Sequence, residues 1–341
     1  MKVYQVEGGW SAENVRLSER PDPVAGPGEV RLRMCAAALN FRDLLVPQRG
    51  YGSRMQTLPL IMLSDGVGIV DQLGAGVDGL GIGTRACPVF FQSWPAGEPT
   101  GARLGRSLGC EMDGTMAEYM VLPAGGVLPV PPHLDDPEAA SLPTAGVTAW
   151  RALVSEGRLR PGDSVLVQGS GGVSLFALQF AKMIGARVIC TSSSDDKLAR
   201  ARALGADETI NYLSVPEWGR VARDMAGGEG VDHVVEVGGQ GTLAQSLRAV
   251  RPGGTISMIG VLAGGKMDAA LGLVVTRHVR LQGITVGSAD DFAQMLRAIE
   301  RTAMRPVVDR IFDFEALPEA MRYLAAGKHF GKVCLRHGPG A

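Results

Sequence analysis

Asp163-Ser-Val-Leu-Val-Gln-Gly-Ser-Gly-Gly-Val-Ser-Leu-Phe-Ala-Leu-Gln-Phe-Ala-Lys-Met-Ile-Gly-Ala-Arg-Val-Ile-Cys-Thr-Ser-Ser-Ser194 is the stretch that decides the fold. Ser164–Gln168 is a short apolar run stopped by glycines, the pattern of a buried parallel strand. Val173–Ile184 is apolar on most faces and long enough for a helix, with Gly185 where a left-handed cap is expected. Arg187–Thr191 is a second apolar run, so strand, glycine turn, helix and strand make a βαβ unit. In the turn Gly169-Ser170-Gly171-Gly172-Val173-Ser174, Gly169 permits the tight bend. Gly171 lets the backbone approach a pyrophosphate lying on the helix N-terminus, where free amides favour anions. Ser174 stands where a third glycine would allow close helix–strand packing, a small side chain that also brings a donor. Isolated, such a glycine pattern is weak; set between strand and helix it predicts dinucleotide binding.

The same rhythm continues downstream. Asp195–Leu204 reads as a helix capped by Gly205, Glu208–Ile210 as a strand, Pro216–Met225 as a helix and Val231–Val237 as a strand. A helix over Thr242–Val250, the turn Arg251–Gly254 and strands at Thr255–Ile259 and Val279–Val286 complete six strands. That is a doubly wound α/β sheet, whose ligand lies past the carboxyl ends of its strands. Those ends carry Gly169–Gly172, Ser192, Tyr212, Gly238, Gly260, Val261 and Ile284, all expected at the cofactor.

Upstream, the first 125 residues are dense in short strands and glycine turns, a β-rich module distinct from the α/β alternation. Val127–Asp136, with three prolines, is a stiff connection, and Pro137 opens a helical region ending near Gly157. From Ala289 come one more helix, an extended Pro306–Asp313 and a final strand Gly331–Leu335, expected to return to the first module. The predicted division is 1–125 with 287–341, against 126–286.

At 341 residues, two domains are expected. The 45% apolar and 20% charged content is that of a globular chain, and a formal net charge of −1 gives no footprint for nucleic acid or an anionic membrane. No apolar run approaches a membrane span and the N-terminus has no signal-peptide core. The five cysteines are scattered without a CxxC, which fits a reducing compartment, so a cytoplasmic location is expected.

The order of these modules resembles the medium-chain dehydrogenase/reductase superfamily over nearly the whole chain. The matching segments are Ala38-Leu39-Asn40-Phe41-Arg42-Asp43, Gly114–Tyr119, Pro161-Gly162-Asp163, Ala203–Asp207 and His329-Phe330-Gly331-Lys332-Val333. Within it, the chain is similar to the alcohol dehydrogenase-like and zinc-free quinone oxidoreductase-like branches. The resemblance implies a GroES-like catalytic domain and a Rossmann nucleotide domain, with the cofactor in the cleft between them. Zinc alcohol dehydrogenases carry a Cys where this chain has Asn40, a His–Glu pair where it has Ser64-Asp65, and a second Cys where it has Thr144. Catalytic zinc needs three strong ligands, and neutral oxygens are too weak to replace them. Gln92–Gly114 holds only Cys110 of the four cysteines of a structural zinc lobe, and the five histidines fall at none of these positions. No metal site is therefore expected.

By the same resemblance, Asn40 and Asp43 line the pocket, and Tyr51 matches a tyrosine after the same glycine, here Gly50; a phenol there can donate a proton to a developing enolate or hydroquinone oxygen, but equally Asp43 could serve Arg42 or a helix cap, and Tyr51 could be a rim aromatic. Phe90, Phe91 and Trp94 suit a pocket wall or an ordinary core. Thr144 is expected at the nicotinamide, and Lys332 of the tail is grouped with the cofactor. NAD enzymes place an Asp or Glu at the end of the second strand, where this chain has Ser192 followed by Ser193 and Ser194. Hydroxyls can donate to a 2′-phosphate, and Lys197 and Tyr212 match residues that contact it in the resembling reductases; Ser194 equally suits the start of the next helix. NADPH is thus expected over NADH. The reading is an NADPH-dependent reductase of a quinone or other conjugated carbonyl, against two alternatives: a zinc-free alcohol dehydrogenase or aldehyde reductase, and an NADPH-binding protein with little turnover. The apolar strand Val279–Val286 at the sheet edge leads to a homodimer, since an uncovered edge invites pairing.

Overall fold

The structure, a computed structural model, describes residues 1–260, 262, 266 and 269–338. The chain divides into two compact units, 1–147 with 287–341, and 148–286.

In the second unit the deciding stretch folds as its pattern requires. Strand β1 (Ser164–Gln168) leads through the glycine turn into helix α1 (Gly172–Ile184). Gly185, at φ 92°, caps that helix in the left-handed region open to glycine. Strand β2 (Arg187–Ser192) returns parallel to β1. Helix α2 (Asp195–Ala203), β3 (Glu208–Asn211), α3 (Trp218–Met225), β4 (Val231–Glu236), α4 (Leu243–Ala249), β5 (Val250–Met258), α5 (Leu271–Thr276) and β6 (Arg280–Gly283) come next along the chain. Among the described residues the sheet order is β3-β2-β1-β4-β5-β6, parallel throughout. The order reverses between β1 and β4, the switch point past which such sheets bind ligands. Leu166, Ile189, Val234 and Ile256 are buried from the strands, against Trp218, Leu243 and Leu247 from the helices. Each such side chain contributes about 1.5–3 kcal/mol.

Two details differ from the expected pattern. The Arg251–Gly254 turn lies inside β5, where pairing with β4 slips from Val231↔Val250 to His233↔Thr255; the strand starts early and bulges around its glycines. The apolar run Val279–Val286 is in strand only over Arg280–Gly283, and Val286 turns away at φ 51°. Leu271, Leu273 and Val275 of α5 are exposed.

In the first unit, the eleven-residue strand Glu29–Leu39 is central. Asp65–Leu73 and Tyr119–Pro123 pair with it antiparallel, and so does the returning strand Lys332–Arg336, in the register Val333↔Leu39. The tail therefore brings Lys332 beside the end of Glu29–Leu39, just before Asn40. Residues 126–147, expected with the nucleotide domain, belong here instead. Val127–Pro129 pairs with Arg85–Pro88. Beyond that strand, Asp136 accepts from Arg85 at 2.7 Å, Glu138 pairs with Arg305 at 2.8 Å, and the thiols of Cys87 and Cys334 donate to the carbonyls of Ala139 and Pro137. A helix not foreseen, Leu317–Ala325, buries Leu317, Ala320, Met321 and Leu324, a helical spacing present in the sequence. Among the described residues, no helix is long and apolar enough to cross a membrane.

Candidate active site

The glycine turn has the shape of a phosphate cradle. Gly169 sits at φ 71°, a conformation that disfavours a side chain, and a Cβ on either Gly169 or Gly171 would meet nothing within 4 Å. Space is thus kept open at the start of α1, where the first amides have no helical partner. Ser174 is buried and its hydroxyl donates to the Gln168 carbonyl at 2.6 Å, so the serine in the third glycine's place ties α1 to the end of β1. Beneath the turn lies a group the sequence reading passed over. Glu236, fully buried at the end of β4, accepts from the amides of Gly238 and Gly239 at 2.9 Å, from the hydroxyls of Thr242 and Ser246, and from Gln168 Nε2 at 2.8 Å. One carboxylate thereby ties the end of β1 to the loop after β4 and to α4. A glutamate closing an apolar strand just before two glycines was its only signal in the sequence.

At the end of β2, the buried Ser192 accepts from Ser194 N at 3.3 Å, which leaves its hydroxyl hydrogen as a donor. Ser194 is the N-cap of α2 and accepts from Lys197 N, so the helix-start role holds for Ser194. Ser193 is exposed, Tyr212 is 39% exposed, and its amide donates to Ser192 O at 3.1 Å. Gly260 donates to Glu236 O at 3.3 Å, and a Cβ there would strike Val237 O at 2.1 Å, so glycine is required for the close approach. Ile284 N donates to Met258 O just past β6. Ser170, Gly172 and Val173 lie in the turn and first residues of α1. Val261 lies outside the described residues.

A second cluster forms in the first unit. Asn40 and Asp43 close a short turn: Asn40 N donates to Asp43 Oδ2 at 2.7 Å and Asp43 N to Asn40 O at 3.0 Å. The Asn40 amide donates through Nδ2 to Asp65 Oδ2 at 2.9 Å and accepts through Oδ1 from Lys332 Nζ at 2.7 Å. Lys332 Nζ is also 3.2 Å from Asp65 Oδ2, with side chains 2% and 0% exposed. Thr144 Oγ1 donates to Asp65 Oδ1 at 2.5 Å, with Ser64 Oγ 3.4 Å from the same hydroxyl. Thr144 and Lys332, expected with the cofactor, are thus both bound to Asp65 in the unit that carries Asn40, Asp43 and Tyr51.

Beside this cluster, Asp43 is fully buried and its Oδ1 has no hydrogen-bond partner; Arg42 Nη1 is 3.7 Å away. Burial pushes its carboxyl up from 3.8 to about 6, against the pull of Arg42 and the Asn40 amide. The Arg42 guanidinium lies 5.4 Å from the Tyr51 ring and 4.9 Å from that of Phe90. Burial raises the Tyr51 phenol, and Arg42 opposes that shift. Phe90, Phe91 and Trp94 are buried and packed on one another.

The positions that hold zinc in zinc alcohol dehydrogenases are therefore close together, but carry an amide, two hydroxyls and a carboxylate already bonded to an ammonium. Such donors do not fit zinc, which takes three nitrogen, sulfur or carboxylate ligands around an open position. Among the described residues, no group of three or more His, Cys, Asp and Glu side chains is placed to hold a metal ion.

Comparison with known proteins agrees with this architecture. Residues 26–132 match the alcohol dehydrogenase GroES-like domain family, and residues 172–301 match the zinc-binding dehydrogenase family. A zinc-type alcohol dehydrogenase-like protein of Schizosaccharomyces pombe is 42% identical over 91% of each chain. A solved NAD-dependent alcohol dehydrogenase is 36% identical, covers 99% of this chain and 100% of its own, and superposes with a TM-score of 0.91. The acryloyl-coenzyme A reductase of Sulfurisphaera tokodaii is 28% identical over 98% of this chain and 100% of its own. With a GroES-like module, a doubly wound sheet and relatives along its whole length, the chain belongs to the medium-chain dehydrogenase/reductase superfamily as an alcohol dehydrogenase-like, nicotinamide-dependent oxidoreductase.

Proposed function

We propose that the chain reduces a quinone or another conjugated carbonyl with NADPH and without a catalytic metal. The observation that carries this reading is the Asn40–Asp65–Thr144–Lys332 cluster, which sets a lysine ammonium and oxygen donors where zinc dehydrogenases use zinc. Without a Lewis acid, reduction of an isolated carbonyl loses its activation, whereas a conjugated acceptor spreads the incoming charge itself. The likeness to an acryloyl-coenzyme A reductase supports a conjugated substrate.

The open cradle over Gly169 and Gly171 would hold the pyrophosphate, and Ser192, Ser193, Lys197 and Tyr212 would hold the 2′-phosphate. When bound, the nicotinamide supplies the hydride. Asn40 orients the substrate through its amide. Tyr51 donates the proton to the substrate oxygen, while the adjacent Arg42 steadies the phenolate that this leaves. Ser192 donates where an NAD enzyme places a carboxylate, and this supports NADPH even though one similar structure is that of an NAD-dependent enzyme.

The reading is tested by following NADPH oxidation with quinones, enones and aldehydes, and NADP⁺ reduction with alcohols. Turnover of enones or quinones well above aldehydes and alcohols is expected; alcohol oxidation as the dominant activity overturns it.

A further inference from the structure

We propose that Lys332 is a positioning residue of the reduction site and not a cofactor ligand: its ammonium neutralises the buried Asp65 and fixes the Asn40 amide, so that negative charge can develop on a substrate oxygen held there. The inference rests on the conjugated-carbonyl reading above.

The geometry of the amide is set by charge. An ammonium carries only donors and a carboxylate only acceptors, so Lys332 must face Asn40 Oδ1 and Asp65 must face Nδ2. Each contact uses one position of the amide, and the second Nδ2 hydrogen has no partner among the described residues. Asn40 is only half-buried, and this hydrogen is the one the proposal gives to the substrate oxygen.

The charges nearby sum to zero. Asp43, from the helix Arg42–Leu45, faces Arg42 at 3.7 Å, and Asp65 faces Lys332 at 3.2 Å. The thiols of Cys87 and Cys334, from the two flanking strands, are driven up by burial and stay neutral, and Asp135 acts on Cys334 from farther away. Removal of Lys332 would leave Asp65 unpaired at 0% exposure, one hydrogen bond from the amide that must receive an oxyanion. A neutral bound substrate scarcely feels that charge, but a developing enolate is repelled by it at low dielectric. The loss should therefore fall on kcat.

The test uses Lys332→Met, Lys332→Arg and the charge-balanced double variant Asp65→Asn/Lys332→Met in the full chain. NADPH affinity is read by the cofactor's fluorescence, and kcat and KM on the parent's best conjugated substrate. Lys332→Met is expected to keep the parent's NADPH Kd and to lower kcat by roughly 10²-fold, the scale of one lost electrostatic contact. Lys332→Arg and the double variant should recover most of the loss. A weakened NADPH Kd with unchanged kcat at saturation would make Lys332 a cofactor ligand and overturn the proposal. So would a loss that is not relieved in the double variant. Should Lys332→Met fail to fold, the double variant decides alone: folded and active is expected, folded and about 10²-fold impaired overturns. A parent inactive on every conjugated carbonyl overturns the reductase reading and this inference together, an outcome distinct from a failure seen only in the variants.

Discussion

Ser192, Tyr51 and Asp43 carry separate consequences at the scale of single residues. Ser192→Asp sets a carboxylate against the 2′-phosphate, so it should turn a preference for NADPH into one for NADH. Each tenfold change is about 1.4 kcal/mol, within reach of one charged contact. Equal affinity of the parent for both cofactors, measured by fluorescence titration, would leave Ser192 serving only the turn before α2. Tyr51→Phe should lower kcat on enones by roughly 10²–10⁴-fold, with cofactor affinity unchanged, and less on quinones, whose reduced oxygen is a weaker base. Full activity of this variant on every substrate would reduce Tyr51 to a wall residue. Asp43 gives a pH signature in stability. Its carboxyl is raised from 3.8 to about 6 by burial, so the folded state binds the proton more tightly than the unfolded chain. That contribution is fully present below the unfolded value and is lost as pH rises through about 6. Between those limits the parent should lose up to about 3 kcal/mol relative to Asp43→Asn, read from denaturant unfolding at a series of pH values. Identical pH profiles would mean that Asp43 ionises as if solvated. Of these side chains, Asn40, Asp43, Tyr51 and Ser192 can be singled out in the sequence because their types stand out at motif positions. The partnership of Lys332 with Asp65 cannot, since it joins residues 267 positions apart that only the returning strand brings together.

Among elements, the glycine turn makes the sharpest statement. A Cβ at Gly171 meets nothing within 4 Å and its φ of −76° suits any residue, so the fold has no need of glycine there. Gly171→Val should leave the melting temperature near that of the parent while weakening NADPH binding by more than tenfold. A variant that binds NADPH as the parent does would move the pyrophosphate away from α1. The strand–turn–helix–strand unit was readable because apolar period, glycine positions and cap all agree over Asp163–Ser194. The helix Leu317–Ala325 was overlooked although its buried positions repeat at helical spacing; Pro318 at its first turn reads as a breaker unless a helix start is sought there. The shortened β6 shows the opposite failure, an apolar run taken as strand where only four residues pair. Apolarity reports burial, and pairing needs a neighbour that the run itself does not reveal.

For the whole molecule, the order of β-rich module, doubly wound sheet and returning tail followed from changes of period along the chain. The boundary near residue 147 did not, because Arg85, Arg305, Cys87 and Cys334 hold Asp136–Ala139 through contacts distant in sequence. On the function proposed above, Lys332, 3.2 Å from Asp65, takes the part that zinc plays in zinc alcohol dehydrogenases. That claim is met most directly by quantifying zinc in the purified protein and following NADPH-dependent reduction of a conjugated carbonyl before and after exhaustive chelation. No stoichiometric zinc and undiminished turnover after chelation are expected. One zinc per chain, removed together with the activity and restoring it on return, would contradict that claim.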